Sequence, residues 1–326
     1  MINPSKKQML FAYCAAGLLT LLFILSKTLF STDSAANKKR HSIQLQLIHE
    51  ADISNIDIIT IQHADSAIIL TRADNMWLVA DQNDVNEKIP ADTEQLKAFF
   101  ILLASKHSMT KAGKSTGSGN SYELDAQNGT EIILYKNSQP YQALTFGGLN
   151  FSQTERYFTT KEINSVLLAG KEFEGYLYAS VSNWADPYII SSQLKNDVFE
   201  MGQVQSAVFY DFKTNKSLAI NSSNEEDNKS IQKLFDLRHG GFVQQAPGFK
   251  EAQTQNFTQS KTLSVQLEMG DISNIRLEFF EHPAIENEYI VYTTFNSERT
   301  KKSFTYKTQI SAWTYSKISE MMLNTK

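Results

Sequence analysis

One short segment has the residue types of a phosphate-binding loop. Gly113-Lys114-Ser115 matches the end of such a loop, in which main-chain amides and a lysine hold nucleotide phosphates. The spacing argues against this chemistry, because the loop's first glycine would stand at position 108, which is Ser108, and no helical pattern follows Ser115. The small residues from Lys111 to Ser121 instead predict a surface loop.

The histidines and acidic residues do not predict a metal site or a catalytic site. The histidines lie far apart, with no His-x-His or His-x-x-x-His pair, so we expect no metal. Glu225-Glu226-Asp227 has the types of an acid and a base, but in the first turn of a helix the dipole already favours negative charge. No nucleophile or dinucleotide motif is present. We expect a protein that is not an enzyme, with no catalytic residue and no cofactor; a hydrolase using dispersed carboxylates is an alternative.

The N-terminus has the pattern of a membrane anchor. Met9 to Ser26 contains no charge and as a helix would be roughly 27 Å long, close to the thickness of a hydrocarbon core. We predict a cytoplasmic tail at 1–8 and an uncleaved transmembrane helix at 9–30. Cleavage near Ser34-Ala35-Ala36 is an alternative, and lipidation at Cys14 is a weaker one, because the preceding residues lack the lipobox pattern. The predicted anchor residues are Met9, Leu18, Leu22, Ile24 and Ser26.

Charge bears on orientation and on partners. Basic residues lie on both sides of the predicted anchor, so the positive-inside rule gives conflicting counts. A basic start followed by an apolar run is typical of export, so we expect a single-pass inner-membrane protein with its bulk in the periplasm. The first 40 residues carry +5, and the other 286 therefore carry −9 of the total −4. A part this acidic is a poor nucleic-acid binder, and we expect no nucleic-acid partner.

Length and composition predict two folded units after the anchor. The chain has 326 residues, of which 41% are hydrophobic and 20% charged, which excludes a disordered or low-complexity protein. Its single cysteine excludes an internal disulfide framework. We place a juxtamembrane linker and first strand at 31–55, a first unit at 56–190 and a second at 191–326.

The first unit has the pattern β-β-β-α-β-β-β-β-α. Asp92 and Gln95 resemble a capping box, and the following apolar residues recur at helical spacing, which predicts a helix. We expect turns at Asp74-Asn75 and Gly147-Gly148 and a second helix from Glu172 to Val181. The predicted strands are Ile56 to Ile61, Ala67 to Thr71, Trp77 to Val79, Glu131 to Tyr135, Tyr141 to Phe146, Arg156 to Thr160 and Val166 to Ala169.

The second unit repeats this order, which predicts a duplicated α+β fold with antiparallel sheets and packed helices. Ser223 and Glu226 resemble a capping box for a helix that Gly240-Gly241 would close. Positions 67, 141, 157 and 173 correspond to 206, 275, 289 and 311, an offset of 132 to 139 residues. The predicted strands are Ala207 to Phe212, Ser217 to Ile220, Leu263 to Leu267, Ile275 to Phe280, Tyr289 to Thr294 and Phe304 to Lys307, before a helix from Ser311 to Leu323.

Large aromatic residues are the candidate packing or interface positions. Trp77, Trp184 and Trp313 occupy non-equivalent places in the two units, so we expect each to pack in a core or between units. Phe279-Phe280 predicts a strand that is covered on both faces.

The assembled pattern resembles the domain-of-unknown-function family four-three-four-zero. The segments that carry the resemblance are Met76 to Val79, Ile89 to Asp92, Ser121 to Asp125, Leu144 to Gly147, Arg156 to Thr159 and Trp184-Ala185-Asp186-Pro187-Tyr188. Where the family usually has Tyr-Gly-Leu, this chain has Tyr122-Glu123-Leu124, and the resemblance covers mainly Ile56 to Ile190.

The resemblance implies a place beside a transporter. Members of this family accompany gliding-motility-type ABC transporters as extracytoplasmic auxiliary components, so an ABC permease and ATPase are the implied partners. The resemblance transfers no active site. A scaffold of a motility or cell-wall complex, without a transporter, is the alternative.

Overall fold

The computed structural model describes residues 42–73, 76–114, 120–195, 204–241, 261–270, 273–283, 285–298 and 301–323. The predicted anchor, with Met9, Leu18, Leu22, Ile24 and Ser26, lies outside these ranges, as does the predicted turn at Asp74-Asn75. Within the described ranges no helix has the length and apolar character needed to cross a bilayer. About half of the described residues, 51%, lie in strands, so the protein is mostly β, with two antiparallel sheets and some helices.

The first sheet has ten antiparallel strands in the order β1-β6-β10-β9-β8-β7-β2-β3-β4-β5. Every strand predicted for this half is present. The strands are β1 Ser42–Gln46, β2 Ile56–His63, β3 Ser66–Ala73, β4 Met76–Asp81, β5 Ile89–Pro90, β6 Lys106–Gly113, β7 Thr130–Lys136, β8 Gln139–Leu149, β9 Glu155–Thr160 and β10 Val166–Gly170.

Helix α1, Thr93–Ala104, packs on this sheet as its sequence predicts. The Asp92 side chain accepts hydrogen bonds from the amides of Glu94 and Gln95, which satisfies two of the free donors at the helix start. The buried face consists of Leu96, Phe99, Phe100 and Leu103. Short helices complete this half: α2 at Val181–Trp184 and 3-10 turns at Glu50–Asn55, Asn120–Tyr122 and Lys171–Tyr176.

The second sheet has six antiparallel strands in the order β12-β11-β13-β14-β15-β16. Alternating residues such as Ile275, Leu277 and Phe279 are buried, as expected for a sheet with one face on a core. The elements are β11 Val204–Asp211, β12 Lys216–Asn221, α3 Glu225–Phe235, β13 Lys261–Met269, β14 Ser273–Glu281, β15 Glu288–Ser297, β16 Lys302–Ser311 and α4 Ala312–Leu323.

The first sheet contains a run of strands, β3-β2-β7-β8-β9-β10, that has the same order as β12-β11-β13-β14-β15-β16. In both runs a hairpin is followed by a helix and then by four strands connected in series. The first sheet has additional strands at both edges: β4 and β5 beside the hairpin, and β6 and β1 beside β10.

Two glycine-based predictions are wrong for the same physical reason. Gly147 and Gly148 lie inside β8 rather than in a turn, and a Cβ atom at Gly147 would lie 2.1 Å from the main-chain oxygen of Tyr122. Gly240 and Gly241 do not close α3 but exchange main-chain hydrogen bonds with Gln309 of β16. In both places the chain approaches other main-chain groups, which the local sequence does not reveal.

Three local predictions also need correction. The loop predicted from Lys111 is strand up to Gly113, because β6 pairs with β1 and β10 on its two sides; residues 115–119 lie outside the described ranges. The helix predicted from Glu172 to Val181 is a 3-10 turn, which contains Gly175, followed by a separate α2, and both Phe173 and Trp184 are buried.

The N-cap of α3 is Asn224 rather than Ser223. The Asn224 side chain accepts hydrogen bonds from the amides of Glu226 and Asp227. The Ser223 hydroxyl instead donates to the Asn221 side chain, 3.0 Å away.

Candidate functional site

The segment of residues 184–195, here called the connector, contacts both sheets. Ala185 forms an isolated bridge with Ala91, next to β5, and the Asp186 amide donates to the Pro90 oxygen at 2.9 Å. Near its middle the Ile189 amide donates to the Leu237 oxygen, also at 2.9 Å, just after α3. The connector therefore joins β5, at the edge of the first sheet, to the segment that follows α3 in the second half of the chain.

Gln193 holds the connector to the first sheet. Its side-chain nitrogen donates to the main-chain oxygens of Trp77 and Ala91, each at 2.9 Å, and its side-chain oxygen accepts from the Trp77 amide at 2.8 Å. All these groups are buried, and a buried amide with its hydrogen bonds made costs much less than one left unpaired. Gln193 thus hydrogen-bonds both β4 and the residue after β5, and so fixes the connector to this edge of the first sheet.

Tyr306 and Thr293 hold the connector to the second sheet. The buried Tyr306 hydroxyl donates to the Ile189 oxygen at 2.7 Å and accepts from the Ser191 amide at 3.0 Å. Thr293 donates to the same Ile189 oxygen at 3.1 Å. Burial raises the pKa of Tyr306 above its ordinary value, so the hydroxyl keeps the proton that it donates.

Asp186 organises the connector from within. Its carboxylate accepts hydrogen bonds from the amides of Tyr188 at 3.0 Å and Ser192 at 2.7 Å, and from the Ser192 hydroxyl. Burial raises the pKa of the Asp186 carboxyl, while the hydrogen bonds from Ser192 and Tyr188 act in the opposite direction. The side chain fixes the turn through which the chain passes from one sheet to the other.

His239 contacts the main chain of this turn through its Nε2 atom. Its Nε2 atom lies 2.7 Å from the main-chain oxygen of Asp186 and must donate to it, because a carbonyl oxygen only accepts. Burial lowers the pKa of His239, so the neutral ring is favoured. Asp186, Ser192 and His239 therefore serve to tie the chain together; their hydrogen bonds do not form a serine–histidine–carboxylate relay.

The structure separates the predicted aromatic residues by burial. Trp184 is fully buried, contacts the rings of Phe99 and Tyr176, and donates from Nε1 to the Tyr178 oxygen at 3.0 Å. Phe279 and Phe280 are both buried. Trp313 is 67% exposed on α4, with the Lys317 ammonium 3.4 Å from its ring centre. Packing therefore accounts for the buried rings, whereas Trp313 is available at the surface.

Trp77 packs against the Phe100 ring and lines an open groove of about 720 Å³. Ile101, also in this groove, is 58% exposed. Charged residues of both signs surround the apolar floor, among them Arg72, Glu94 and Lys97.

The turn between β8 and β9 carries a fully exposed aromatic residue, Phe151. Asn150 holds this turn, because its side-chain oxygen accepts from the Thr154 amide and the Ser152 hydroxyl, each at 3.0 Å. The turn is therefore ordered by hydrogen bonds, and nothing in the sequence pattern singled out Phe151.

The acidic and histidine residues lie as follows. Glu225, Glu226 and Asp227 form the first turn of α3, as predicted. Asp52 accepts from Lys136 and, at 2.9 Å, from the Tyr141 hydroxyl; the hydrogen bond from Lys136 is the main cause of its lowered pKa. Across the described ranges, no three His, Cys, Asp or Glu side chains lie close enough to hold a metal ion.

Comparison with known proteins found no matching family model, curated protein or solved structure. The resemblance to the family of transporter-associated proteins therefore stays a prediction. The connector is the part of the candidate site that sequence reasoning missed: Gln193 and Tyr306 carry no local signal, and Asp186 appeared only within Trp184-Ala185-Asp186-Pro187-Tyr188.

Proposed function

We propose that the chain is a non-enzymatic, membrane-anchored periplasmic component that acts as an auxiliary or scaffold protein of a gliding-type ABC transporter complex. The observation that carries this proposal is the buried connector. Gln193 and Tyr306 fix the chain between the two sheets, and a scaffold needs surfaces held in a constant relation to each other. The family resemblance is the basis for proposing a transporter as the partner, and the uncharged stretch from Met9 to Ser26 is the basis for proposing a membrane anchor.

The proposed architecture is an N-terminal transmembrane helix followed by two similar α+β units, at 56–190 and 191–326. The shared strand order supports it. By this order the equivalent hairpins are β2-β3 and β11-β12. The strand that corresponds to β11 is therefore β2, which begins at position 56, and not β3, which contains position 67. An experimental structure in which the two six-strand runs fail to superpose would contradict the duplication.

Exposed aromatic residues on ordered elements are the proposed contact points. Phe151 on its hydrogen-bonded turn and Trp313 on α4 expose large apolar area, which favours burial against a protein partner.

The test is gentle solubilisation of the tagged full-length protein from its native membrane, with mass spectrometry of what co-purifies. A permease and an ABC ATPase in stoichiometric yield would support the transporter role. Structural envelope or motility proteins without a transporter would replace it with the alternative scaffold role. Phe151→Ser, compared with Phe151→Tyr, which keeps an exposed aromatic ring and leaves the hydrogen bonds of the turn intact, then tests the contact point: we expect loss of partner yield only in the first.

A further inference from the structure

Among the residues that the structure describes, strand β12 pairs only with β11 and forms an open edge of the second sheet. It pairs with β11 from Ser206↔Asn221 to Asp211↔Lys216 without any shift in register. Proteins normally protect the edge strands of their sheets with proline, bulges or several charges, because an unprotected edge pairs readily with other strands. Over its length β12 has no proline and one charged residue, Lys216.

The hydrogen bonds around β12 identify the main-chain groups that remain at this edge. The Ser222 amide donates to the Gln205 oxygen at 2.9 Å, so residues of even number face β11 and Ser217, Ala219 and Asn221 face away. Asn221 is already engaged, because its amide donates to Asp227 at 3.2 Å and its oxygen accepts from Asn224 at 3.1 Å. Ser217 and Ala219 therefore offer the N–H and C=O groups that an added strand would bind.

The first sheet shows what the equivalent edge accepts. There β3 holds the position of β12, and β4 pairs with it antiparallel from Ile68↔Asp81 to Ala73↔Met76. The described part of the second sheet ends at β12. The same strand order thus carries an additional antiparallel strand in one sheet and an open edge in the other.

The charges at the two ends of β12 favour a second copy of this chain, paired antiparallel, as the strand that binds this edge. Lys216 is the first residue of β12, whereas Glu226 and Asp227 follow its end. Lys213 and Glu225, farther out on the same two sides, already pair with Glu281 and Lys229. Antiparallel pairing of two identical strands brings the basic end of each beside the acidic end of the other. Parallel pairing would bring like charges together.

We propose that β12 is a self-association edge, at which two copies of this chain pair their β12 strands antiparallel about a two-fold axis at Leu218. In this register Ser217 of one copy lies opposite Ala219 of the second copy, and four main-chain hydrogen bonds form. Lys216 lies opposite Ile220 of the second copy, one residue from the Asn221 amide that Asp227 binds. This inference does not depend on the transporter role.

Cysteine cross-linking of the full-length protein tests the register. In a Cys14→Ser background, Leu218→Cys places one cysteine of each copy directly opposite the other. The Cα atoms of these two residues would be about 4.5 Å apart, within disulfide range. The matched control, Ala219→Cys, places its two thiols diagonally, about 7–8 Å apart. We expect a disulfide-linked dimer from the first variant and at least about tenfold less from the second. Equal cross-linking in the two variants would overturn the proposed register.

A second measurement tests the edge without cysteine. Ala219→Pro removes an N–H that faces away from β11, so the ladder with β11 is kept while an added strand is blocked. Ala219→Val keeps the N–H and is the control. In sedimentation of the full-length protein in detergent, we expect dimers of the wild type and Ala219→Val, and about tenfold weaker self-association of Ala219→Pro. A monomeric wild type, or Ala219→Pro that dimerises as the wild type does, would overturn the proposal.

Discussion

The two sheets run through the same order of six strands and differ at the edge beside the hairpin. In the first sheet β4 and β5 continue beyond β3, whereas the described part of the second sheet ends at β12. The additional strands supply Trp77 and, directly after β5, Ala91, the two residues whose main-chain groups hold Gln193. The edge that is extended is thus used inside the molecule to hold the connector, and the edge that is open is left for contact with another chain.

This difference also divides the tryptophans. Trp184 of the connector fills space between α1 and neighbouring segments of the first half, while Trp313 of the second half lies on the surface. The same residue type therefore has a packing role in one region and is exposed, beside Lys317, in the other.

Trp184→Ala should have the largest effect. The side chain is fully buried, so its removal leaves a cavity beside Phe99, and we expect the free energy of unfolding to fall by about 3–5 kcal/mol. The control is Trp313→Ala, for which we expect less than about 1 kcal/mol. Urea unfolding of the full chain measures both. Similar losses in the two variants would contradict the assignment of one tryptophan to the core and one to the surface.

Tyr306→Phe tests the attachment of the connector to the second sheet. Loss of the hydroxyl leaves the buried Ser191 amide without its acceptor, and we expect the free energy of unfolding to fall by about 1–3 kcal/mol. Tyr210→Phe is the matched control, because its hydroxyl bonds an exposed Asn215 side chain, and we expect it to change stability by less than about 0.5 kcal/mol. If the two variants were equally stable, the connector would not be held by this hydroxyl.

His239 predicts a pH dependence that belongs to the connector. Burial holds the pKa of the folded-state ring below its ordinary value of 6.5, so the unfolded chain takes up a proton first as the pH falls. Stability from this group is complete above about pH 6.5 and decreases as the pH falls toward the folded-state pKa. His239→Gln keeps a donor for the Asp186 oxygen and does not titrate, so the stability difference between wild type and variant should shrink from about pH 7 to about pH 5.5. Parallel urea-unfolding profiles over this range would be evidence against a buried neutral ring.

Glu87→Gln should have the smallest effect. Glu87 lies 3.0 Å from Lys307 of β16 and is an exposed ionic link between the two halves of the chain. Exposed ion pairs contribute about 0–1 kcal/mol, so we expect a change in the free energy of unfolding within that range and weaker still at high salt. A loss as large as that of Tyr306→Phe would show that surface charge, rather than the buried connector, joins the halves.

The sequence was sufficient for the strands and for the main helix of the first half. Period-two patterns such as Ile56 to Ile61 and the Asp92 cap depend on neighbours within a few residues, so they can be recognised locally. The errors fall where distant contacts decide. Gly147 lies in β8 at a point where the Tyr122 main-chain oxygen leaves no room for a Cβ atom, and Lys111 to Gly113 is strand because partners lie on both sides.

The same division applies to the candidate site. Residues such as Trp184 were recognisable as important by type, but Gln193 and Tyr306 are ordinary residues in sequence, and their partners lie 102 to 117 positions away along the chain. No local pattern encodes a hydrogen bond over such a separation.

By itself the sequence determined most of the strands and the main helices, since hydrophobic period and capping residues are properties of short segments. Only the tertiary structure decided which edge of each sheet is covered, which glycines lie in strands and which polar residues hold the connector. These features depend on main-chain groups finding partners far along the chain, and a buried group must find one because leaving it unpaired costs more than the hydrogen bond gains.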